Sequence, residues 1–282
     1  MKVRYTTLII ALCFLLLLTI LTTPGIGGMK EQKEEPNAPE KFTESFSRNY
    51  KIEEIASMEK SRNKDWWLSS GAYFFSRDGI GKTLTGDLSP SNKWFIEYKR
   101  NNSIDTDFGT RPQNIFRLVN RNVWHNSRQS VYARIVSYDL SESPNRNVSN
   151  GILLFNRYLD SDNLYYTGIR VDGYAVIKKK IRGEYITLAE TPLADNLLPY
   201  DRETAPNQLP INKWIGVMGE VTTSGEKVSI KLYVDADGTG NWKLAAESVD
   251  DGMGGPILES GHGGIRTDFM DVEFRDYDIR EI

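Results

Sequence analysis

From residue 42 to the last residue the sequence is a succession of short apolar or alternating runs, each closed by a turn signal. The runs fall at 72–75, 94–98, 114–119, 130–138, 151–158, 164–171, 174–181 and 185–189. They continue at 214–222, 228–234, 242–247, 264–267 and 271–279. Between them stand Asp78-Gly79, Asp172-Gly173, Arg182-Gly183, Ser224-Gly225 and Asp237-Gly238. Such pairs tolerate the positive φ that tight hairpins need. A chain that reverses so often builds sheets, so the expected fold class is all-β, a two-sheet antiparallel sandwich. One helix-like stretch stands apart, at 53–60. The tripeptide Asn-Lys-Trp occurs at 92–94 and 212–214, which is too little repetition for a propeller.

The chain has 282 residues, enough for a large all-β domain that needs no disulfide. Its one cysteine, Cys13, lies in the N-terminal apolar run, so the body has no thiol nucleophile and no cysteine-ligated metal. Two histidines, His125 and His262, rule out a multi-histidine centre. A net charge of −3 argues against nucleic acid, whose phosphates demand a basic face. An aromatic content of 11% suits pleated surfaces first and sugar binding second.

At the amino end, Lys2 and Arg4 precede an apolar stretch at 8–21, followed by Thr23-Pro24-Gly25. Residues 1–28 read as a signal peptide or a single membrane anchor, and either form exports the remainder of the chain. Membrane contact is expected only if the segment stays uncleaved. Residues 29–41 are charged and Pro-containing and read as a linker. Residues 42–282 form the sandwich. The expected location is extracellular or on the cell surface.

Alternation assigns side chains to faces. On the runs around 130–138, 151–158, 164–171 and 174–181, four neighbouring strands place Tyr132, Arg134, Asn156, Tyr166, Arg170 and Lys178 on one surface. Flat aromatics beside forked donors suit a sugar, and the same mixture also suits an ordinary solvent face. Asp235-Ala236-Asp237-Gly238-Thr239-Gly240 matches the start of a calcium loop, although the terminal Glu is missing; the hairpin turn is the stronger reading. Sequons occur at 101–103 and 147–149.

Residues 42–47 (FTESFS), Trp66-Trp67 and 70–73 (SGAY) resemble the opening of concanavalin A-like lectin/glucanase domains. Residues 264–268 (GIRTD) and 271–277 (DVEFRDY) resemble their closing strands. The blocks at 112–119, 143–147, 151–158 and 163–173 are similar to a poorly characterised group of exported microbial proteins of laminin-G-like type. The resemblance covers nearly all of 42–282. It implies a jelly-roll of two stacked, curved antiparallel sheets with a concave face. It leaves activity open, because lectins, glucanases and lyases share this fold.

The retaining glucanases of this fold carry a Glu-x-Asp-x-x-Glu strand; Glu273, Asp276 and Asp278 have the wrong spacing for two carboxylates about one bond. A polysaccharide lyase acting on a uronate polymer needs a cation or amide for the carboxylate and a base for the neighbouring proton. Tyr166, Arg134, Arg170 and Asn156 are the residues that would serve, with His125 in a loop nearby. The Gln-x-His strand of alginate-lyase sandwiches is missing, since Gln129 is followed by Ser130 and Val131. Asp235 and Asp237 would be the ligands of a structural calcium in that loop, and fold analogy gives a second, separate position at Asp276 with carbonyls near Asp78-Gly79; no other cofactor is implied. The expected function is non-catalytic binding of a polysaccharide or glycan, with the lyase and a structural cell-envelope protein as alternatives.

Overall fold

The computed structural model describes residues 39–282, and the N-terminal apolar segment lies outside them. Along this stretch the chain forms β1 (Lys41–Glu44), β2 (Tyr50–Glu53), β3 (Trp66–Ser70), β4 (Tyr73–Arg77) and β5 (Ile80–Thr83). Helix α1 (Lys93–Asn101) follows, then β6 (Ile115–Trp124), β7 (Ser127–Tyr138), β8 (Gly151–Asp160) and β9 (Asn163–Arg170). Next come β10 (Tyr174–Ile181), β11 (Glu184–Pro192), β12 (Trp214–Ser224) and β13 (Lys227–Asp235). The last are β14 (Lys243–Asp250), β15 (Gly261–Asp268) and β16 (Met270–Glu281). No helix among the described residues is long and apolar enough to cross a membrane.

The strands pair into two antiparallel sheets, a jelly-roll sandwich. The nine-stranded sheet runs β14-β13-β12-β7-β16-β5-β4-β2, with β1 also on β16. The seven-stranded sheet runs β11-β10-β9-β8-β15-β6-β3. Period-2 alternation sends one face of each inward. Val131, Ala133, Val217, Ile230 and Phe274 meet Leu118, Leu154, Ile169, Ile177 and Ile265 in one apolar core. Phe74, Phe116 and Phe274 interlock within it, with ring centroids 5.9–6.4 Å apart. Each such buried side chain contributes about 1.5–3 kcal/mol of hydrophobic free energy.

The turn signals act as expected. At Arg182-Gly183, φ values of 52° and 87° reverse the chain between β10 and β11, a pair of positive values that suits a primed hairpin turn. The helical expectations fail at both ends. Residues 94–98, read as a strand, lie inside α1. Asn92 caps that helix by accepting from the Trp94 N–H at 2.9 Å. Trp94 and Tyr98 then pack on Ala72 and Leu88, an i, i+4 stripe that a short aromatic-rich run conceals. Residues 53–60 are not an α-helix; only Met58–Lys60 make a 3-10 turn. The Gly-rich segment at 261–264 opens β15.

Candidate functional site

The six residues expected on one surface divide three ways. Strand β7 does not neighbour β8. It sits between β12 and β16 in the other sheet, so Tyr132 and Arg134 lie on the outer face of the nine-stranded sheet. There Arg134 is ion-paired with Glu273, its cross-strand neighbour, and lies over the Trp214 ring at 4.7 Å. Arg275 stacks on Tyr132 at 5.0 Å and on Trp214 at 4.7 Å. Arg275 also donates to the Gly238 carbonyl at 3.2 Å, while its Nε is buried without a hydrogen-bond partner among the described residues.

Asn156 faces the core. Its cross-strand partner is Tyr165, an inner-face residue, and it is buried. It accepts from Gln129 at 2.7 Å and donates to the Thr167 hydroxyl at 2.9 Å, joining the two sheets. Both faces of β8 are buried, so its alternation carries no polarity signal to say which is outside.

Tyr166, Arg170 and Lys178 do share a surface, the outer face of the seven-stranded sheet. The register sets Lys178, Tyr166 and Phe155 side by side across β10, β9 and β8. One step along, Val176, Gly168, Leu153, Arg266 and Arg117 form the adjoining row. A groove of about 410 Å³ lies over these rows, a volume ordinary for a ligand site. Tyr166, Lys178, Leu153, Arg117, Arg266 and Tyr185 line it. The 139–150 connection supplies Asn145, Asn147, Ser149 and Asn150 to its rim. A second cleft of about 430 Å³ beside α1, lined by Glu54, Trp94 and Tyr98, contains none of the residues singled out in the sequence.

Inside the groove the aromatic platform differs from the expectation. Tyr166 is covered by Phe155 at 5.6 Å between centroids and by the Arg266 guanidinium at 5.1 Å. Burial pushes its phenol up to about 12, although Arg266 pulls the other way. Tyr185 stacks on it at 6.1 Å and 24°, has the Lys180 ammonium over its ring at 5.0 Å, and is 54% exposed, so it is the more accessible of the two rings. Burial alone would raise the Tyr185 phenol, but Arg266 and Lys180 outweigh it and hold it below the usual value.

The cations fall into two kinds. Arg170 is committed: it donates to Asp172 at 2.5 and 3.1 Å and to Glu190 at 2.9 Å, and stands beside the groove. Arg266 and Arg117 share one carboxylate, Asp268, at 2.8 and 3.3 Å. The Arg117 Nη1 atom is buried with no hydrogen-bond partner among the described residues. Lys178 donates only to the Ser149 hydroxyl, at 3.2 Å, and has no ion pair among the described residues. Burial, then Arg170 and Arg266, lower its ammonium below the usual lysine range. Arg117, Arg266, Tyr185 and the asparagine loop were not among the expected residues. Arg117 and Arg266 do alternate with buried Phe116, Leu118, Ile265 and Thr267, a sequence signal for one outward face.

The four lyase residues are not assembled, because Arg134 is on the far sheet and Asn156 is in the core. His125 is exposed beyond β6, with its ring near the Ser260 hydroxyl at 3.2 Å. His262 is half-buried on β15, its Nδ1 at 3.0 Å from the Asn122 carbonyl, and burial lowers its pKa.

The calcium expectation also meets a different geometry. Asp235 accepts from the Gly240 N–H at 2.6 Å, the Asp237 N–H at 3.4 Å and the Tyr132 hydroxyl at 3.3 Å. Burial would raise its pKa, but these backbone donors lower it overall. A carboxylate held in this way closes the hairpin loop. Asp276 stands at a bulge in β16, with φ of 53°, and its contact is Arg275 at 3.8 Å. No three acidic, histidine or cysteine side chains among the described residues are grouped to hold a metal.

No family model matches the chain. No curated protein matches it either. Solved structures do. The carbohydrate binding module CBM66 from Bacillus subtilis is 10% identical, over 86% of this chain and 96% of that one, with a TM-score of 0.41. The VIP36 exoplasmic/lumenal domain in its Ca2+/Man2-bound form is 10% identical, over 82% and 87%, with a TM-score of 0.43. The Bacillus licheniformis beta-glucanase is 10% identical, over 86% and 99%, with a TM-score of 0.46. With TM-scores below 0.5 and 10% identity, these likenesses carry no argument about what this chain does.

Proposed function

We propose that the outer face of the seven-stranded sheet is a glycan-binding groove and that the protein is a non-catalytic carbohydrate-binding domain acting outside the cell. The observation that carries this reading is the convergence, over one groove, of an exposed tyrosine ring, an apolar floor and a rim of amide and hydroxyl groups. The ring of Tyr185 suits the apolar face of a pyranose, and Leu153 continues the floor. Asn145, Asn147, Asn150 and Ser149 offer donors and acceptors for ring hydroxyls. The division of Tyr132 and Arg134 from Tyr166 and Lys178 removes the site first expected and taken alone favours a purely structural role. The groove outweighs it, because Arg117, Arg266 and Tyr185 join Tyr166 and Lys178 there. Export rests on the apolar run at 8–21 with its basic flank.

A glycan array with the protein, followed by titration of the best polymer, tests the reading. Tyr185→Ala removes an exposed side chain and should fold normally. It is expected to weaken binding at least tenfold, equivalent to about 1.4 kcal/mol. Binding that ignores this substitution places the sugar elsewhere, and no binding to any glycan removes the proposal.

A further inference from the structure

We infer that the groove selects an acidic glycan, with the carboxylate of a uronate residue held by Lys178 on one side and by Arg117 and Arg266 on the other. This rests on the glycan-binding reading of the same groove and names its ligand class.

Among the described residues the cations that line the groove are unevenly paired: two arginines share one carboxylate, and Lys178 has no ion pair. Arg266 and Arg117 come from adjacent strands, β15 and β6, and divide the single carboxylate of Asp268 between them. That carboxylate is buried, so its oxygens are spent on these two guanidiniums. Arg117 keeps Nη1 without an acceptor among the described residues, but that atom is out of contact with solvent; a ligand in the groove meets the partly exposed remainder of the side chain.

Lys178 stands across the floor on β10, with Tyr166 and Leu153 between it and the arginines. Its one hydrogen bond is to a neutral hydroxyl. The acidic groups nearby are already engaged. Glu190 and Asp172 bind Arg170. Asp105 on the rim accepts from the Ser143 hydroxyl at 2.6 Å and the Asn145 amide at 3.0 Å. Lys180 pairs with Asp162 at 3.1 Å. An ammonium pressed by Arg170 and Arg266 with no counter-ion of its own is the group that a ligand carboxylate relieves most.

Neutral sugars would dock on Tyr185 and the asparagines while Lys178 stayed without a counter-ion. A uronate meets ring, amides and cations together. The charge-assisted bonds make the preference for acid over ester large and dependent on ionic strength.

The test is a matched comparison by isothermal titration: polygalacturonate, alginate and hyaluronate, each against its methyl ester, with dextran sulfate as a separate arm. The protein is expected to bind one of the acids at least tenfold more tightly than its ester, and less tightly in 0.5 M salt. Lys178→Gln, checked for an unchanged thermal melt, should abolish most of that preference while binding to the ester persists. Equal binding of acid and ester, both lost in Tyr185→Ala, would overturn the acidic selectivity and leave a neutral-glycan site. Binding of dextran sulfate alone would overturn the carboxylate assignment. Acid binding that survives both Lys178→Gln and Tyr185→Ala would remove the groove itself as the site.

Discussion

Lys179 and Lys178 are neighbours in sequence with opposite fates. Lys178 faces the groove; Lys179 points inward, is fully buried, and donates to Asp250 at 2.8 Å and to the carbonyls of Met253 and Gly255. Asp250 also accepts from the Tyr165 hydroxyl at 2.7 Å. Removing the ammonium strands a buried carboxylate, so Lys179→Met should cost about 3–5 kcal/mol in chemical denaturation. Adding Asp250→Asn should recover a good part of it, since the amide oxygen still accepts from Tyr165 and no bare charge remains. Asp139 offers a second test. Burial, then a hydrogen bond with Asp107, push its carboxyl from 3.8 up to about 6, against the pull of Asn114 and Arg111. The native state therefore holds this proton to higher pH than the unfolded chain does. The stabilisation it provides is present at about pH 4 and is lost as pH rises through about 6. Urea midpoints between pH 4 and 7 should show that slope in the wild type and a flatter profile in Asp139→Asn; equal slopes would rule the residue out as the cause.

Elements were legible where both local signals agreed. β7, β10, β12 and β13 alternate cleanly and end in turn residues, and the expected and observed spans nearly coincide. Alternation also told truly which residues of β9 and β10 share a face. It failed in β8, where both faces are buried and the polar Asn156 and Arg157 are covered along with their apolar neighbours. It failed again in α1, where a Trp-Phe-Ile-Glu-Tyr run looks like a strand and the cap at Asn92 carries the decision. Asn92→Ala should therefore destabilise the protein by about 1 kcal/mol, seen as a lower thermal midpoint with glycan binding unchanged. Strand β9 contributes one further constraint. A Cβ at Gly168 would run into the Ile152 carbonyl oxygen and the Leu153 backbone on β8, so only glycine fits that position on the groove floor.

At the scale of the whole molecule the last strand is central. β16 pairs with β7 along most of its length and with β5 and β1 on its other side, so the chain closes its nine-stranded sheet last. Its inner face supplies Val272, Phe274, Tyr277 and Ile279 to the core. A chain truncated before Met270 should lose its cooperative thermal transition and aggregate, because two inner strands become open edges. A soluble truncated protein with a sharp melt would refute this.

The sequence by itself determined the strands, the turns, the antiparallel sandwich and the alternation that puts Tyr166 with Arg170. Those follow from period and turn chemistry, which act between residues close along the chain. Only the tertiary structure decided which strands are neighbours. The passage at 139–150 carries the chain from one sheet to the other, so Arg134 left the expected surface. Arg117 and Arg266 entered it from distant parts of the sequence. Long-range strand order is set by how two whole sheets bury their faces together, and no local window contains that information.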